Sequence, residues 1–585
     1  MAQPRSSPSQ HSAIRRQLEK IMAHGLFARS ERMVRFLRLA VERTLEGKAD
    51  ELKEYLIGVE VFDRPSSYDP RVDPIVRVEA RRLRSKLKAY YAGDGNNDPV
   101  RIEFRTGSYA PQIRMLGDGR AASRPDIHTI AVLPFANLSA SAENDYFSDG
   151  LTEELIHALT RLRGMRVVAW NSAARLRGVE QDIQEVRRQL QVANVLTGSV
   201  RIAGPSLRVR AQLIDIATGV YLWSETFDRP MQDVFAIQEE IARNIVRTLR
   251  LQLSSGAEAA LLARPHTSVS SYDYYLKGRY HLHRRTPDDL ARGLQYFEAA
   301  VAVDPDSALA HAGLADAYVL LVDYGLLHPT KGVPKVRAAA TRAIELDPTL
   351  ADAYPSLAVI RAHWDREWQD AEDLYRKAIG LNPGCATAHH WLATDFLAVV
   401  GRLDEGELEL EIALQLDPLS SIIHEGRASF SIWRRQYDEA VRRYCEIREF
   451  DPTFYKAYTG LGRVYALQGK YTDALAMLEK GRALAGDVPN ILGAMGEIFA
   501  LSGDTASARR ILAELTARAL DSYVPSTCFA RVHSGLGEVE RALDWLEKGC
   551  EQRELPMAML KVHPVYDPLR DEPRFRAVVE RMRFP

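Results

Sequence analysis

The sequence predicts a multidomain protein: an α+β head, an α/β middle domain and a long all-α array of helical hairpins. Three observations predict this organisation. From about Ser271 onward, residue types recur every 34 positions. Within residues 127–253, apolar and polar side chains alternate along 207–213, and Thr218-Gly219 turns the chain into a further strand, which predicts a partly antiparallel sheet. Residues 1–124 hold 24 Lys and Arg against 16 Asp and Glu, a net charge of +8, whereas the remainder carries −9. The head and the body should therefore have different partners.

Length and composition predict a cytoplasmic protein. The chain has 585 residues, of which 46% are hydrophobic and 26% charged, as in ordinary globular proteins. Residues 1–10 are polar and lack the apolar stretch of a secretory signal. We find no apolar run near the ~20 residues that a membrane helix requires. The four cysteines form no CxxC pair, so we expect them to be reduced and to pack as small hydrophobic residues.

The period of the array is visible in two series. Alanines recur 34 residues apart, each followed four positions later by a large residue, at Ala440, Ala474, Ala508 and Ala542. Asx-Pro pairs end successive apolar stretches and begin at Asp304, Asp347, Asn382, Asp417 and Asp451. A small residue allows two helices to cross closely, and proline disfavours helix at the residue before it. The pattern therefore predicts stacked helical hairpins that bury a common core.

The clearest unit, residues 455–487, contains Tyr458, Leu461-Gly462, Tyr465, Ala474 and Leu478. This pattern resembles the tetratricopeptide repeat, and the resemblance covers an array over residues 271–556 with a C-terminal helical cap over 557–585. It implies an all-α tetratricopeptide superhelix that binds a protein or peptide on its concave face. The alternative is a scaffold without a specific ligand.

The middle domain, residues 127–253, begins with a short apolar strand at 129–135. Asp149 then resembles a helix N-cap with Glu153 and Glu154 in the first turn. Residues 130–135 together with 146–155 resemble the TolB-like amino-terminal domain of bacterial signalling proteins. That domain is common ahead of tetratricopeptide arrays, including those attached to adenylate cyclases, and it brings no catalytic residues.

The sequence favours a protein without enzymatic activity, cofactor or metal. No phosphate-binding glycine loop follows the first strand of the middle domain. The histidine pairs His281/His283 and His389/His390 have no cysteine at zinc-site spacing, so we interpret them as core or surface residues.

The head, residues 11–115, contains four predicted helices at about 12–23, 30–45, 52–61 and 74–91, followed by a β-hairpin. The fourth helix has an apolar stripe formed by Val76, Ala80, Leu83, Leu87 and Tyr90. A second stripe, shifted by one residue, is basic. Arginine on an exposed helix edge can form paired bonds with phosphate oxygens or with a guanine edge.

These features resemble the winged-helix output domain of response regulators, with residues 76–87 as the recognition helix and Thr106–Tyr109 in the wing. The resemblance implies that Arg77, Arg81, Arg82 and Arg84 face the major groove. It implies phosphate contacts from Lys86, Lys88 and Arg105. Winged-helix regulators often act as dimers, so a homodimer is one expected assembly. The alternative is a solvated charged helix in a protein-binding winged domain.

The predicted fold class is therefore an α+β winged helix, then, after a polar linker at 116–126, an α/β TolB-like domain and an all-α tetratricopeptide superhelix. We expect a DNA-binding transcriptional regulator or adaptor whose array binds a regulatory protein. The alternative function is a cytosolic signalling scaffold that does not bind DNA, related to modules attached to adenylate cyclases.

Overall fold

The computed structural model divides into two compact units, residues 1–124 and 125–585. The residues that it describes are 8–24, 26–27, 30–45, 48–65, 68–70, 73–92, 95, 98, 100–104, 109–115, 129–139, 145–160, 162, 165–177, 183–230, 233–249 and 268–585. The predicted linker at 116–126 and the wing residues 105–108 lie outside this part of the chain.

The head consists of four helices followed by an antiparallel hairpin, in the predicted order. The elements are α1 (Pro8–Ala23), α2 (Glu31–Leu45), α3 (Glu54–Phe62), α4 (Ile75–Ala92), β1 (Val100–Phe104) and β2 (Pro111–Met115). A short 3₁₀ turn, Ala49–Glu51, precedes α3. The apolar stripe of α4 is buried as predicted and packs with Phe36 and Phe62. The assignment of this unit to the winged-helix family stays a prediction.

A buried carboxylate ties the first and last helices of the head together. Asp98 accepts hydrogen bonds from Tyr90 Oη on α4 (2.5 Å) and from the Gln17 amide on α1, and it pairs with Lys20 Nζ (2.5 Å). Its side chain is 3% exposed. Because a buried charge requires partners, this network fixes the packing of α1 against α4.

The middle domain is built on a mixed sheet, as the sequence predicts. Its elements are β3 (Thr129–Val132), β4 (Ala136–Asn137), α5 (Asp145–Thr160), β5 (Arg166–Val167), α6 (Trp170–Ala174), α7 (Ile183–Leu190), β6 (Asn194–Ala203), β7 (Ser206–Asp215), β8 (Tyr221–Pro230) and α8 (Val234–Thr248). The strand order is β5-β3-β6-β7-β8, with β4 beside β6. Pairs within β3–β6 are parallel, and β6–β7–β8 are antiparallel.

The predicted N-cap at Asp149 is wrong. Helix α5 begins at Asp145, one turn earlier, so Asp149 lies inside the helix and is 5% exposed. Its carboxylate pairs with Arg177. The acidic residues of α5 therefore make tertiary contacts instead of capping the helix.

The array begins with three helical hairpins and their irregular continuations. The elements are α9 (Val269–Arg284), α10 (Pro287–Val303), α11 (Ala308–Asp323), α12 (Pro329–Leu346), α13 (Ala353–Val359), α14 (Trp368–Leu381), α15 (Ala386–Trp391) and α16 (Ala398–Val400). Two π-helical turns interrupt this series, Ile360–Asp365 after α13 and Leu392–Leu397 between α15 and α16.

The second part of the array is more regular. It contains α17 (Leu403–Leu416), α18 (Ser421–Trp433), α19 (Tyr437–Phe450), α20 (Tyr455–Leu467), α21 (Tyr471–Ala485), α22 (Pro489–Leu501), α23 (Thr505–Asp521), α24 (Ser526–Gly535) and α25 (Val539–Glu551). The four alanines spaced by 34 residues are fully buried. Gly462 lies where α20 crosses α21: a Cβ there would approach the Ala474 carbonyl oxygen to 2.9 Å, so the crossing requires glycine.

The cap comprises the 3₁₀ turns Leu555–Leu560 and Pro564–Leu569 and helix α26 (Pro573–Arg581). Phe575 and Val578 of α26 are buried against α25, as predicted for a cap on the final hairpin. Among the described residues, no helix is long and apolar enough to cross a membrane.

Candidate functional site

The exposed face of α4 presents most of the predicted DNA-contacting residues. The stripe from Val76 to Tyr90 faces the core of the head, so the opposite side of the helix faces solvent. Arg77, Arg81 and Arg82 are exposed there, while Arg84 and Lys86 are half-buried at its edges. The side chain of Lys88 and the whole of Arg105 lie outside the described residues.

Arg77 is held by a carboxylate of the neighbouring helix. Its Nε and Nη2 donate to the two carboxylate oxygens of Glu54 at 2.7 and 3.0 Å. Glu54 is the first residue of α3, and its hydrogen bond raises the pKa of Arg77 above the usual value. Tyr109, just before the second strand of the hairpin, joins this pair, and burial together with Glu54 raises the pKa of its hydroxyl. Arg77 thus has a fixed orientation beside the hairpin.

The other cations of α4 differ in how they are held. Arg82 Nη1 donates to Glu79 at 2.7 Å within the same helix. Lys86 Nζ donates to the Leu26 carbonyl oxygen at 2.6 Å and lies 5.9 Å from the centre of the Phe27 ring. For Arg81 we find no carboxylate within ion-pair distance in the described part of the head. Arg81 is therefore the predicted contact whose guanidinium is most accessible to an anion.

Elsewhere in the head, arginines on α2 are neutralised by nearby carboxylates. Arg35 forms a two-pronged pair with Asp63 at 3.0 Å, and Arg43 pairs with Glu51 at 3.1 Å. Arg15 on α1 pairs with Glu42 at 2.9 Å. Arg77 and Arg82 on α4 are paired in the same way, so what distinguishes α4 is the density of its cations, five between residues 77 and 86.

In the other unit, the middle domain packs against the turns of the array that contain the Asx-Pro pairs. Asp417, from one Asx-Pro pair, accepts hydrogen bonds from Asn171 Nδ2 (2.9 Å), Ser172 N (2.9 Å) and Ser172 Oγ (2.5 Å). Asn382, from the preceding pair, donates to Thr160 Oγ1 at 3.1 Å. The two predicted domains therefore pack as parts of one unit, joined through residues that the sequence marks only as helix ends.

Further contacts strengthen this junction. Asp451 of the next Asx-Pro pair binds Arg175 of the middle domain. Glu153 on α5 pairs with Arg279 of α9 and lies 3.2 Å from His283 Nε2. The cation and the histidine outweigh burial and lower the pKa of Glu153 to about 2. Glu153 therefore stays ionised as a structural anchor.

The cap does more than cover the last hairpin, because it returns along the inner side of the array. Lys561 Nζ donates to the Val400 carbonyl oxygen at 3.3 Å. Arg435 forms two bonds, of 2.8 and 3.1 Å, with Asp567. The Phe584 ring lies 5.1 Å from that of Trp368. The last residues thus bridge back to helices that precede them by well over a hundred residues.

Two adjoining cavities of about 250 and 260 Å³ lie between the cap and the inner helices of the array. They share six lining residues: Asp323, Glu425, Lys456, Arg463, Met559 and His563. Met559 and His563 belong to the cap, and the other four come from α11, α18 and α20. The sequence prediction missed this polar interior.

A signal for it exists in the sequence. Stepping by 34 residues along the inner helices gives a ladder of polar residues at Asp395, Ser429, Arg463, Glu497 and Arg531. All of these except Glu497 line a cavity, and Glu497 accepts a bond from Arg531 Nε at 2.8 Å. The period therefore repeats inner-face polarity as well as core packing.

The histidine pairs are each explained by a local partner or by burial. His281 Nδ1 lies 2.7 Å from Asp289, and His389 Nδ1 lies 2.6 Å from Glu409. His390 lines the larger cavity. Within the residues that the structure describes, no cluster of three or more His, Cys, Asp or Glu side chains could hold a metal ion.

Comparisons with known proteins place two segments in families. Residues 126–244 match the second domain of HilA/YgeH-like transcriptional regulators, and residues 434–489 match the tetratricopeptide repeat. The chain therefore contains a regulator-type domain joined to tetratricopeptide repeats. The TolB-like assignment of the same middle segment stays a prediction.

Two curated relatives match longer stretches. "Putative adenylate cyclase 3" of Rhizobium meliloti is 34% identical over 249 residues, which are 42% of this chain and 42% of the relative. "Transcriptional regulator HilA" of Salmonella typhimurium is 23% identical over 333 residues, 56% of this chain and 58% of the relative. The chain thus spans about half the length of each. A solved human IFIT1 dimer aligns over 59% of this chain and 76% of its own, with 15% identity and a TM-score of 0.39.

Proposed function

We propose that this protein is a DNA-binding transcriptional regulator of the cytoplasm. Its head would bind DNA through α4, and its array would receive a regulatory protein. The observation that carries the proposal is the exposed basic face of α4, opposite a fully buried stripe, in a head with a net charge of +8. The match of residues 126–244 to a regulator domain supports it.

Within the proposal, the three exposed arginines of α4 have different roles. Arg81 makes the first contact with phosphate or with a base edge, because its guanidinium faces solvent. Arg77 keeps its orientation through Glu54 and contacts the backbone beside the hairpin. Arg82 exchanges Glu79 for a phosphate oxygen, an exchange that costs little because exposed pairs are weak. The proposal assigns no catalytic role to any residue.

The test is a titration of labelled duplex DNA with the full chain across a salt series. We expect log affinity to fall linearly with log salt, because each phosphate contact releases condensed counterions. Replacing Arg77, Arg81 and Arg82 together with Gln should reduce the slope by up to about 3, at about 0.9 per lost phosphate contact. A stoichiometry of two chains per duplex would support the homodimer.

A matched control is Arg243→Gln on α8, whose exposed guanidinium pairs with Glu239. This change removes one exposed, paired positive charge from the other unit and should leave the slope unchanged. If the unmodified chain has no DNA affinity at low salt, the regulator proposal fails. The second candidate, a signalling scaffold, would then stand, and the similarity to the Rhizobium meliloti protein favours it.

A further inference from the structure

The interior of the array has the features of a binding site for a small molecule. The cap residues Met559 and His563 line both cavities, so the cap narrows the inner groove at this point. Each cavity is smaller than the roughly 300 Å³ at which drug-sized ligand pockets begin. An extended peptide needs a continuous open groove, whereas this space suits a compact molecule.

Three hydrogen-bond donors around the cavities have no acceptor. They are Arg463 Nε, Tyr324 Oη and Trp433 Nε1, which are buried and have no hydrogen-bond partner among the described residues. Tyr324 is 4% exposed and Trp433 6% exposed. Buried donors in native proteins are almost always paired, because an unpaired one costs about 1–3 kcal/mol. Three of them around one space point to an occupant rich in acceptor oxygens.

Two cations on α20 also indicate an anionic occupant. Lys456 and Arg463 are seven residues apart, hence on one face of the helix, and both line both cavities. Lys456 Nζ lies 4.1 Å from the centre of the Tyr324 ring. Neither cation has an Asp or Glu within 4.0 Å in the described part of the body. Both positive charges are therefore open to an anionic group.

Four other titratable groups around this space are uncharged, shifted towards the uncharged form or already hydrogen-bonded: His390, His563, Asp395 and Glu425. Burial, together with Arg285 and Lys456, lowers the pKa of His390 to about 3, and burial with Arg463 keeps the pKa of His563 well below its usual value. Glu425 accepts bonds from Ser429 Oγ (2.9 Å) and Tyr444 Oη (3.2 Å). Burial and Asp323 raise the pKa of Asp395 to about 7.

The acidic residues limit which anions would fit. Asp323 lines both cavities, and Asp395 lines the larger one beside His390. A bare anion would be repelled by them, whereas a molecule with hydroxyl or amino groups could donate to their oxygens. The π-helical turns that contain His363 and Asp395 meet here, with His363 Nε2 at 2.6 Å from the Asp395 carbonyl oxygen. Such turns are frequent at functional sites.

We infer that the array binds a small organic acid, a hydroxylated or aminated carboxylate or phosphate monoester, in the cavities between α11, α18 and α20. Arg463 and Lys456 bind the acid group, Trp433 and Tyr324 donate to its oxygens, and Asp323 accepts from its hydroxyl or amino groups. This site is separate from the DNA-binding face of α4.

The test is calorimetric titration of the full chain, without DNA, with L-glutamate, citrate, glycerol 3-phosphate and inorganic phosphate. We expect saturable binding with one site per chain for at least one organic probe, tighter than for inorganic phosphate. Comparing the carboxylates with the phosphate monoester identifies the acid group. No saturable heat from any probe up to ~10 mM, which would fill even a millimolar site, overturns the inference.

Variants locate the site. Arg463→Gln and Lys456→Met should each weaken binding at least tenfold, and Trp433→Phe, which removes a single donor, should weaken it several-fold. The control is Arg427→Gln on α18: its Nε is also buried without a partner, but it lines neither cavity. Binding that survives both cation variants, or that falls equally in the control, overturns the inference. Circular dichroism identifies any variant that does not fold, and the other two variants then decide.

Discussion

The arginines of α4 in the head and those on the inner side of the array have opposite surroundings. On α4, Arg77 and Arg82 are more than half exposed and each pairs with a carboxylate. On α20, Arg463 is half-buried, and its buried Nε has no partner among the described residues. Burial and the nearby Arg531 lower the pKa of Arg463 below its usual value. Arg77 and Arg82 of the head are thus exposed and paired, whereas Arg463 of the array is half-buried and its Nε is unpaired among the described residues.

The difference indicates how each surface would be used. Exposed ion pairs contribute little to stability, so a polyanion can replace the carboxylate at small cost. A buried charge is held by its whole environment, and only an occupant of matching shape and charge can satisfy it. The head is thus suited to many phosphates of one polymer, and the array to one defined molecule.

The largest expected effect comes from the buried polar junction in the body. Asp417→Ala would leave the Ser172 N–H and hydroxyl and the Asn171 amide without their acceptor. We expect a loss of about 3 kcal/mol in the free energy of unfolding of the body, as for other broken buried networks. The seven tryptophans all lie between residues 170 and 545, so fluorescence in urea reports on the body alone.

The control for this experiment is Asp404→Ala. Asp404 pairs with Arg434 at 2.5 Å, but its side chain is 95% exposed. Its removal should change the unfolding free energy by less than about 1 kcal/mol, the range for surface pairs. Equal losses of unfolding free energy in the two variants would show that the buried junction contributes no more than an exposed ion pair.

The next largest effect, which depends on pH, comes from Glu554, a buried carboxylate just before the cap. Glu554 is 1% exposed and accepts bonds from Ser526 N (2.8 Å) and Ser526 Oγ (2.9 Å). Burial raises the pKa of Glu554 from 4.5 to about 7. The folded state therefore holds a proton that the unfolded state releases between these values. Stability falls as pH rises through this window, and the loss is complete above it.

Glu554→Gln should remove this part of the pH dependence. We expect the stability difference between pH 5 and pH 8 to shrink by about 1–3 kcal/mol relative to the unmodified chain. Urea unfolding followed by tryptophan fluorescence at both pH values measures it. Asp395, whose pKa is also raised to about 7, is present in both proteins, and so its contribution cancels. An unchanged pH profile would show that Glu554 stays ionised in the folded body.

Charge removal at the head should act on DNA binding more than on stability. Glu54→Gln takes a negative charge away from the exposed face of α4 and releases Arg77. We expect DNA affinity at low salt to rise about three- to tenfold, because the local field becomes more positive. Fluorescence anisotropy with a labelled duplex measures the change.

Glu42→Gln is the matched control, since Glu42 pairs with Arg15 between α1 and α2 and not on α4. It removes the same charge and should change affinity less. Weaker binding of Glu54→Gln than of the unmodified chain would mean that the orientation of Arg77 matters more than its release.

The sequence predicts the elements that a local pattern encodes. The stripe from Val76 to Tyr90 predicts which face of α4 is buried, and the alanines spaced by 34 residues predict the helix crossings of the array. The first pattern depends on residues a few positions apart, and the second on a period that repeats along the chain. The mixed sheet of the middle domain follows in the same way from the alternation along β7 and from the turn at Gly219.

What the sequence does not predict depends on contacts between distant segments. Asp417 is correctly read as a helix end, yet its partner Ser172 lies 245 residues earlier. The cap enters the groove without a repeat period, so nothing local indicates that Met559 faces α20. Arg77 lies on the predicted stripe, but Glu54 holds it from another helix. The N-cap predicted at Asp149 is a separate error, because α5 begins one turn earlier, at Asp145.

The smallest expected effect belongs to the pair within α4. Glu79→Gln breaks the bond to Arg82, which joins residues three apart on a helix surface and contributes roughly 0.2–0.5 kcal/mol. Hydrogen exchange of α4 amides in the full chain should therefore speed up by about twofold at most. Arg82→Gln should give the same small change, and the double variant should add nothing further. An acceleration of tenfold or more would mean that this exposed pair holds α4 in place, and that the head, like the array, depends on a fixed charge.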